Sequence, residues 1–496
     1  MTSGKDSNVP PERDLPVPPP PPHPPSTTFS AGDGAMMAGQ NITDPVTGPS
    51  IGRDNWGTVA GRDINRTKIG GGWWIAIVAV LLTGTGGGLY WATQDDSDQG
   101  SQMPRTGTRK PPSASPGSAT PKTQLSVPSL YDPSRGWESG LPGTQLTLPH
   151  SGAVAVFQEG GRNNGTFTVL DVTSGNTLWK TEVKGPGIMS ALSVTEDGKD
   201  YLVASASGAA GADVVNKGRN VTTIDIFPAR ATGDNVKPSH HLELDGDGAV
   251  ASGGGGLLVE FDDDVVMTVD PATGATKKYD LRKTKPPAGE CRLCFSSTKA
   301  VAVTPRGPLL ATDTRPYGHY WVPGAWSGGS LTTDSENKVF MAPVGNSLVA
   351  NWHDEGATDD TWAVLDAATG RVRAKVDCAP TKGVTDDDSK GASVSADGRY
   401  LVRSHTAFDL EKGTGRCFEE TDRDKPVHLT GVTDDGVAFG IGSSTADQAD
   451  PRVVIDLATG QVEASDYVEA PFSDYSGYGL FWDDSTNTMI AYPHAK

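Results

Sequence analysis

The residues best placed to do chemistry in this sequence are its four cysteines, and their spacing separates the chemistries open to them. Cys291 and Cys294 stand in Cys-Arg-Leu-Cys, while Cys378 and Cys417 are isolated. A Cys-x-x-Cys pair acts as a redox couple in a βαβ setting, as half of a zinc site when two further ligands follow, or as a haem attachment when His comes next. No βαβ pattern surrounds this pair, no second Cys-x-x-Cys or paired His completes four ligands, and Phe295 follows Cys294. An even number of cysteines in an oxidising compartment favours disulfides. Three pairings are open, and the repeat described next favours Cys378 with Cys417, leaving Cys291 and Cys294 to close a short local loop. Acidic runs at Asp262–Asp264 and Asp386–Asp388, with Asp245 and Asp247, raise the question of calcium. None completes the alternating ligand pattern that ends in Glu, so they read as solvated loops. The nine histidines are scattered, with the adjacent His240 and His241 read as loop residues, and no Gly-x-Ser-x-Gly elbow marks a nucleophile. A net charge of −19 argues against nucleic acid or an anionic surface as partner and for solubility.

What must position these residues is a repeat. An apolar strand ending in Asp, three residues, a Gly and a second strand recur at Asp171 and Gly175, Asp270 and Gly274, Asp366 and Gly370, Asp409 and Gly413, and Asp456 and Gly460. Degraded copies stand at Asp225 and Asp313, and the copies lie about 43 to 54 residues apart. Asp accepts from backbone N–H groups two residues on, and Gly supplies the positive φ of the return. A second hairpin precedes most copies, at Asp197-Gly198, Asp397-Gly398 and Asp435-Gly436. Each unit is thus two successive hairpins, about one four-stranded propeller blade. Four short strands cannot bury both faces alone, so the units must stack around an axis. Asp132 and Gly136 stand in the same frame before the first complete unit, and the C-terminal run GYGLFWDDSTNTMIAY supplies only one hairpin. Two strands from each end then build a closing blade. The expectation is an all-β fold over residues 125–496, an eight-bladed propeller with seven blades as the alternative, at roughly 46 residues per blade.

The phrase VLDVTSGNTLWK, with the copies LDAATGRV, VDPATGAT and IDLATGQV, resembles the repeat of pyrroloquinoline-quinone-like (PQQ-like) propellers, in a chain that looks like a membrane-anchored bacterial protein of actinobacterial type. That family includes quinone-dependent dehydrogenases, outer-membrane assembly scaffolds and extracellular sensor domains. The resemblance implies that an enzyme would carry adjacent cysteines and a Trp against the quinone, with calcium held by Glu, Asn and Asp. No adjacent cysteines occur, and the Trp that knits blades together after the Gly is supplied only by Trp179 and, more loosely, Trp137. The expectation is a non-catalytic module without PQQ or calcium, with quinone-dependent oxidation as the alternative.

The preceding residues differ in kind. Residues 1–28 form a Pro-rich disordered arm, either a spacer or a ligand for aromatic grooves. Residues 29–68 are Gly-rich and contain a duplication, 29–42 aligning with 51–64 at an offset of 22 so that AGQNI falls on AGRDI. The second copy resembles short amyloid-like signalling motifs found beside bacterial NLR-type receptors; a flexible linker is the plainer reading. Residues 73–91 carry no charge, and at about 1.5 Å per residue they nearly match a hydrocarbon core of ~30 Å, with Trp73, Trp74, Tyr90 and Trp91 at its ends. Arg53, Arg62, Arg66 and Lys68 precede the run and Asp95, Asp96 and Asp98 follow it, so the N-terminus is placed in the cytoplasm. Gly84 and Gly88 form one Gly-x-x-x-Gly through which helices could associate. Residues 92–124 read as a disordered stalk. The expected protein is therefore single-pass in the cell membrane, with the propeller outside it binding a protein or cell-envelope ligand, and self-association open through the helix or the cytoplasmic repeat.

Overall fold

The computed structural model describes residues 121–496 except 162, 212–217, 254, 263, 287–297, 313–318, 332–338, 355, 380–391, 421–424, 443–450 and 468. Among the described residues there are strands and two short 3-10 turns, Pro149–Ser151 and Gly328–Ser330, but no α-helix. The uncharged run 73–91, the duplication of 29–42 at 51–64, Cys291, Cys294, Asp313 and Asp386–Asp388 lie outside the described residues. Among the described ones no helix is long and apolar enough to cross a membrane.

The first sheet shows the plan. Thr144–Leu148, Ala153–Glu159, Asn164–Asp171 and Thr177–Lys184 follow one another as an antiparallel meander. In the outermost strand, Trp179, Thr181 and Val183 are buried while Lys180, Glu182 and Lys184 are exposed, the period of two expected of a strand with one wet face. The second strand instead buries every residue from Ala153 to Phe157, because it packs against sheets on both sides. The same meander restarts at Ile188, Ala249, Thr298, Phe340, Ser393, Val427 and Ser473. The sheets beginning at Phe340 and Ser393 are joined into one eight-stranded sheet by a single parallel pairing, Lys375 with Thr414.

Apolar side chains collect between sheets rather than in one centre. Phe157, Phe167 and Trp179 of the first sheet meet Leu202 and Phe227 of the second. Leu258 and Val266 of the third meet Leu310 and Trp321 of the fourth. Each fully buried Leu or Phe in these layers contributes about 1.5–3 kcal/mol. First strands of neighbouring sheets abut: Thr144–Leu148 with Ile188–Glu196, Thr298–Thr304 with Phe340–Val344, and Val427–Val432 with Ser473–Tyr475. Finally Tyr475, Leu480, Met489 and Ala491 of the last sheet pack on Val154, Val156 and Leu170 of the first, and the Tyr475 hydroxyl donates to the Ala153 carbonyl at 2.7 Å. Sheets stacked in sequence order around a closed ring make an all-β, propeller-like fold.

The closing sheet departs from the expectation of two strands from each end. It takes Ser473–Tyr475, Tyr478–Asp483 and Thr488–Pro493 from the C-terminus and only Trp137–Ser139 from the N-terminus. Three residues carry no alternation long enough to read, so Ser473–Tyr475 escapes sequence analysis. Tyr131 bridges His494 and Trp137 pairs with Ala491, so Asp132 to Gly136 form an excursion within one outer strand rather than a hairpin turn. Gly136 has φ +123°, and a Cβ there would fall on the Ala491 carbonyl oxygen. Asp225 also differs from its expected place: it lies mid-strand in Arg219–Pro228, opposite Ala204 and His241. The connection after that strand carries Gly233–Asp234, which pairs in parallel with the outer strand of the first sheet. His240 and His241 belong to the strand His240–Asp245, not to a loop.

Candidate functional site

A four-stranded meander sends its first and third connections to one end of the ring and its second, with the crossing to the next sheet, to the other. The first end is built from tight turns. At Asp171, Asp270, Asp409 and Asp456 the Oδ1 atom accepts from the backbone N–H groups two and three residues on. Asp366 accepts from Thr369 N–H and hydroxyl. Gly175, Gly274, Gly370, Gly413 and Gly460 all sit in the left-handed region, with φ between +68° and +77°. Burial works to raise the carboxyls of Asp171 and Asp270, yet the bonds from their turns outweigh it and both are held below the usual carboxylate range.

These turns also receive the neighbouring sheet. Trp137 lies on Gly175 and donates its indole N–H to the Val172 carbonyl at 2.8 Å; Trp326 lies on Gly370 and donates to Ala367 at 3.1 Å. His240 takes the same place on Gly274, its Nε2 3.0 Å from the Ala272 carbonyl, and Arg416 takes it on Gly460, donating to Thr459 at 2.8 Å. Trp179 donates to Ala229 at 2.9 Å. Glycine is therefore required twice over, by φ and by the ring or guanidinium laid against it. Sequence reading found Trp137 and Trp179 but missed Trp326, His240 and Arg416, since only an indole after the Gly served as the signal. One pair at this end has unusual electrostatics: the Glu196 carboxyl is pushed up to about 7 by burial and then by Asp270.

At the other end successive described strands stop farther apart in sequence: Ala210 and Arg219, Asp280 and Thr298, Thr312 and Tyr320, Cys378 and Ser393, and Gly442 and Arg452. The short turn Arg403 to Thr406 also stands at this end. Ser404 is in the left-handed region at φ +51° and its carbonyl accepts from Leu429 N–H at 2.6 Å, while His405 accepts from Phe418 N–H at 2.7 Å. The Arg403 guanidinium stands 4.9 Å over the Phe340 ring, and His405 meets the edge of Trp362 at 5.6 Å. Three sheets are tied together here. Burial, and then His428, holds the His405 imidazole below its ordinary value, so it is neutral at neutral pH. Ser404 Oγ lies 3.3 Å from His405 Nδ1, but Ser404 is 3% exposed and His405 5%, so this contact offers a substrate no approach. On the rim of the same region Cys378 and Cys417 form a disulfide between neighbouring outer strands, with Cα atoms 5.9 Å apart. These cysteines and Glu419 are the one group close enough to hold a metal among the described residues, and the bonded sulfurs leave no thiolate to ligate it. Asp245 pairs with Arg219, Asp247 accepts from Asn220, and His241 pairs with Asp225, so these acidic groups serve local contacts. A cavity of about 430 Å³ lies between the strand Thr177–Lys184 of the first sheet, the strand Arg219–Pro228 of the second and the connection after it, lined among others by Thr181, Val183, Phe227 and Val236.

No family model and no curated protein matches this chain. Among solved structures it is similar to the Pan2 WD40 domain of Neurospora crassa, at 10% identity over 71% of this chain and 90% of that one, TM-score 0.32. It is similar to the Cps50 (Swd1) β-propeller domain of Myceliophteria thermophila at 11% identity over 72% and 97%, TM-score 0.31. Dihydro-heme d1 dehydrogenase NirN in complex with DHE gives 12% identity over 65% of each chain, TM-score 0.31. At such scores these likenesses carry no argument about activity; the fold assignment rests on the strand order and the closed ring.

Proposed function

We propose that this chain is a single-pass membrane protein whose eight-bladed, PQQ-like propeller stands outside the membrane and binds a protein or cell-envelope ligand without catalysing a reaction. The eight-blade reading is supported by taking the two halves of the eight-stranded sheet as separate blades. The observation that carries the binding reading is the asymmetry of the ring: at one end the strands are joined by Asp–Gly turns with docked rings, while at the other the described strands stop farther apart in sequence, and longer joining stretches are where recognition is usually built. Membrane anchoring is supported by the uncharged run 73–91 and the basic residues before it. The four cysteines, two of them joined, suit an oxidising compartment. Protease added to right-side-out vesicles should degrade residues beyond 92 and spare those before 73; the reverse pattern overturns the topology. Calorimetric titration of the purified protein with PQQ, with and without calcium, should show no heat, and stoichiometric binding would replace the binding-module reading with that of a quinone-dependent dehydrogenase.

A specific observation favours an added role for the cytoplasmic side, the duplication of 29–42 at 51–64. Clustering of the outer domain would bring these segments together for mutual templating. A 26–68 peptide should then assemble into β-rich fibres and lose that ability when Gly61 and Ile64 are replaced by Pro; a peptide that stays soluble and unstructured at high concentration removes this role.

A further inference from the structure

The ring is closed by a polar contact as well as by packing. Asp474, in the strand Ser473–Tyr475, is buried, and its Oδ2 accepts two hydrogen bonds: one from the Tyr131 hydroxyl at 2.8 Å, and one shared with His494 Nε2 at 2.8 Å. Tyr131 belongs to the N-terminal segment, and Asp474 and His494 to the C-terminal sheet. The two outer partners also touch each other, the Tyr131 ring standing edge-on to the imidazole at 5.4 Å. The segment around Tyr131 is sewn down by further bonds: Asp132 N–H to Pro493, Ala495 N–H to Leu130, Leu125 N–H to the Tyr492 hydroxyl, and that hydroxyl to Thr123.

The charges facing His494 come from three elements. Asp474 approaches from its own sheet, Asp434 and Asp435 from the turn before Val437, and Arg135 from the N-terminal segment, where its guanidinium donates to the His494 carbonyl and pairs with Asp132. Asp434 also accepts from Asp397 N–H at 2.9 Å. Around this imidazole the carboxylates therefore outnumber the single guanidinium.

We propose that Tyr131, Asp474 and His494 form a pH-sensitive clasp, in which protonated His494 helps hold the N-terminal strand to the ring and its deprotonation as the pH rises releases that strand. The hydrogen bond to Asp474, opposed by burial and helped by the surrounding carboxylates, raises the imidazole above its ordinary value of 6.5. The sign follows from linkage: the extra stability is present in full below 6.5 and is lost as the pH climbs through the raised folded-state value. Release of Trp137–Ser139 would leave Thr488–Pro493 as an outer edge with unpaired backbone groups, a template for a strand from a partner. The clasp is independent of membrane anchoring; in an anchored chain, the released segment is the one that leads to the helix.

Amide hydrogen exchange of the full chain between about pH 6 and 9, corrected for the intrinsic pH dependence of exchange, tests it. Protection over 125–139 should fall severalfold across this range relative to 153–159 in the first sheet. His494→Lys, charged throughout, should keep that protection high and flat, and His494→Gln should keep it low and flat. Equal behaviour of both segments in the unaltered chain, or an undiminished pH dependence in His494→Gln, overturns the proposal.

Discussion

Gly370 gives the sharpest test of how neighbouring sheets are joined. It sits at φ +68°, and a Cβ added there would lie 2.6 Å from Cδ2 of Trp326. Carbon atoms settle at about 3.6 Å, so in Gly370→Ala the indole must retreat by roughly 1 Å. That movement breaks its hydrogen bond to the Ala367 carbonyl, worth about 1 kcal/mol. The left-handed backbone adds about 1–2 kcal/mol for any residue with a Cβ. The expected cost is therefore about 2–3 kcal/mol. Gly198 provides the matched control, with φ +69° and nothing within 4 Å of its would-be Cβ, so Gly198→Ala should show the backbone cost alone. In a Trp326→Leu background the cost of Gly370→Ala should drop to that of the control. Equilibrium denaturation of the four variants measures all three quantities. Equal costs for the two alanines in the unaltered background, or a Gly370→Ala cost unchanged by removing the indole, would refute the docking argument.

Removing the disulfide with paired Cys378→Ser and Cys417→Ser should lower stability by up to about 4 kcal/mol, from the unfolded-state loop of 39 residues that it closes. Reductant should shift the denaturation midpoint of the unaltered protein in the same direction, and identical midpoints with and without reductant would count against a formed bridge. Glu196, raised from 4.5 to about 7, contributes stability that is full below pH 4.5 and is lost as the pH rises through about 7. Glu196→Gln should flatten the pH dependence of stability over that window, and a slope identical to that of the unaltered protein would sink the assignment. Tyr475→Phe should cost about 1–3 kcal/mol, because the Ala153 carbonyl is left buried without its donor; a loss below about 0.5 kcal/mol would show that this bond does little to close the ring.

Sequence alone determined the local geometry of the repeat. Asp followed four residues later by Gly prescribes one turn wherever it stands between two apolar strands, because the carboxylate and the positive φ act within five residues. Asp171 to Gly175 and Asp456 to Gly460 needed no distant contact to be read. The period-two burial of Thr177–Lys184 was legible for the same reason. The disulfide partner was within reach too, since equivalent positions in successive repeats lie side by side on neighbouring outer strands. Contacts between repeats were not legible. His240 and Arg416 replace an indole because any flat donor fits against a Gly, and no local pattern distinguishes such a residue from an ordinary surface one. Asp132 and Gly136 match the turn motif, yet the C-terminal strand supplies their partner, and its pairing with both Tyr131 and Trp137 converts the turn into an excursion. The Tyr131–Asp474–His494 contact joins residues about 340 positions apart, which only closure of the ring brings together. Turn chemistry acts over a few bonds and is written in sequence order; docking and closure depend on which surfaces the completed ring sets face to face.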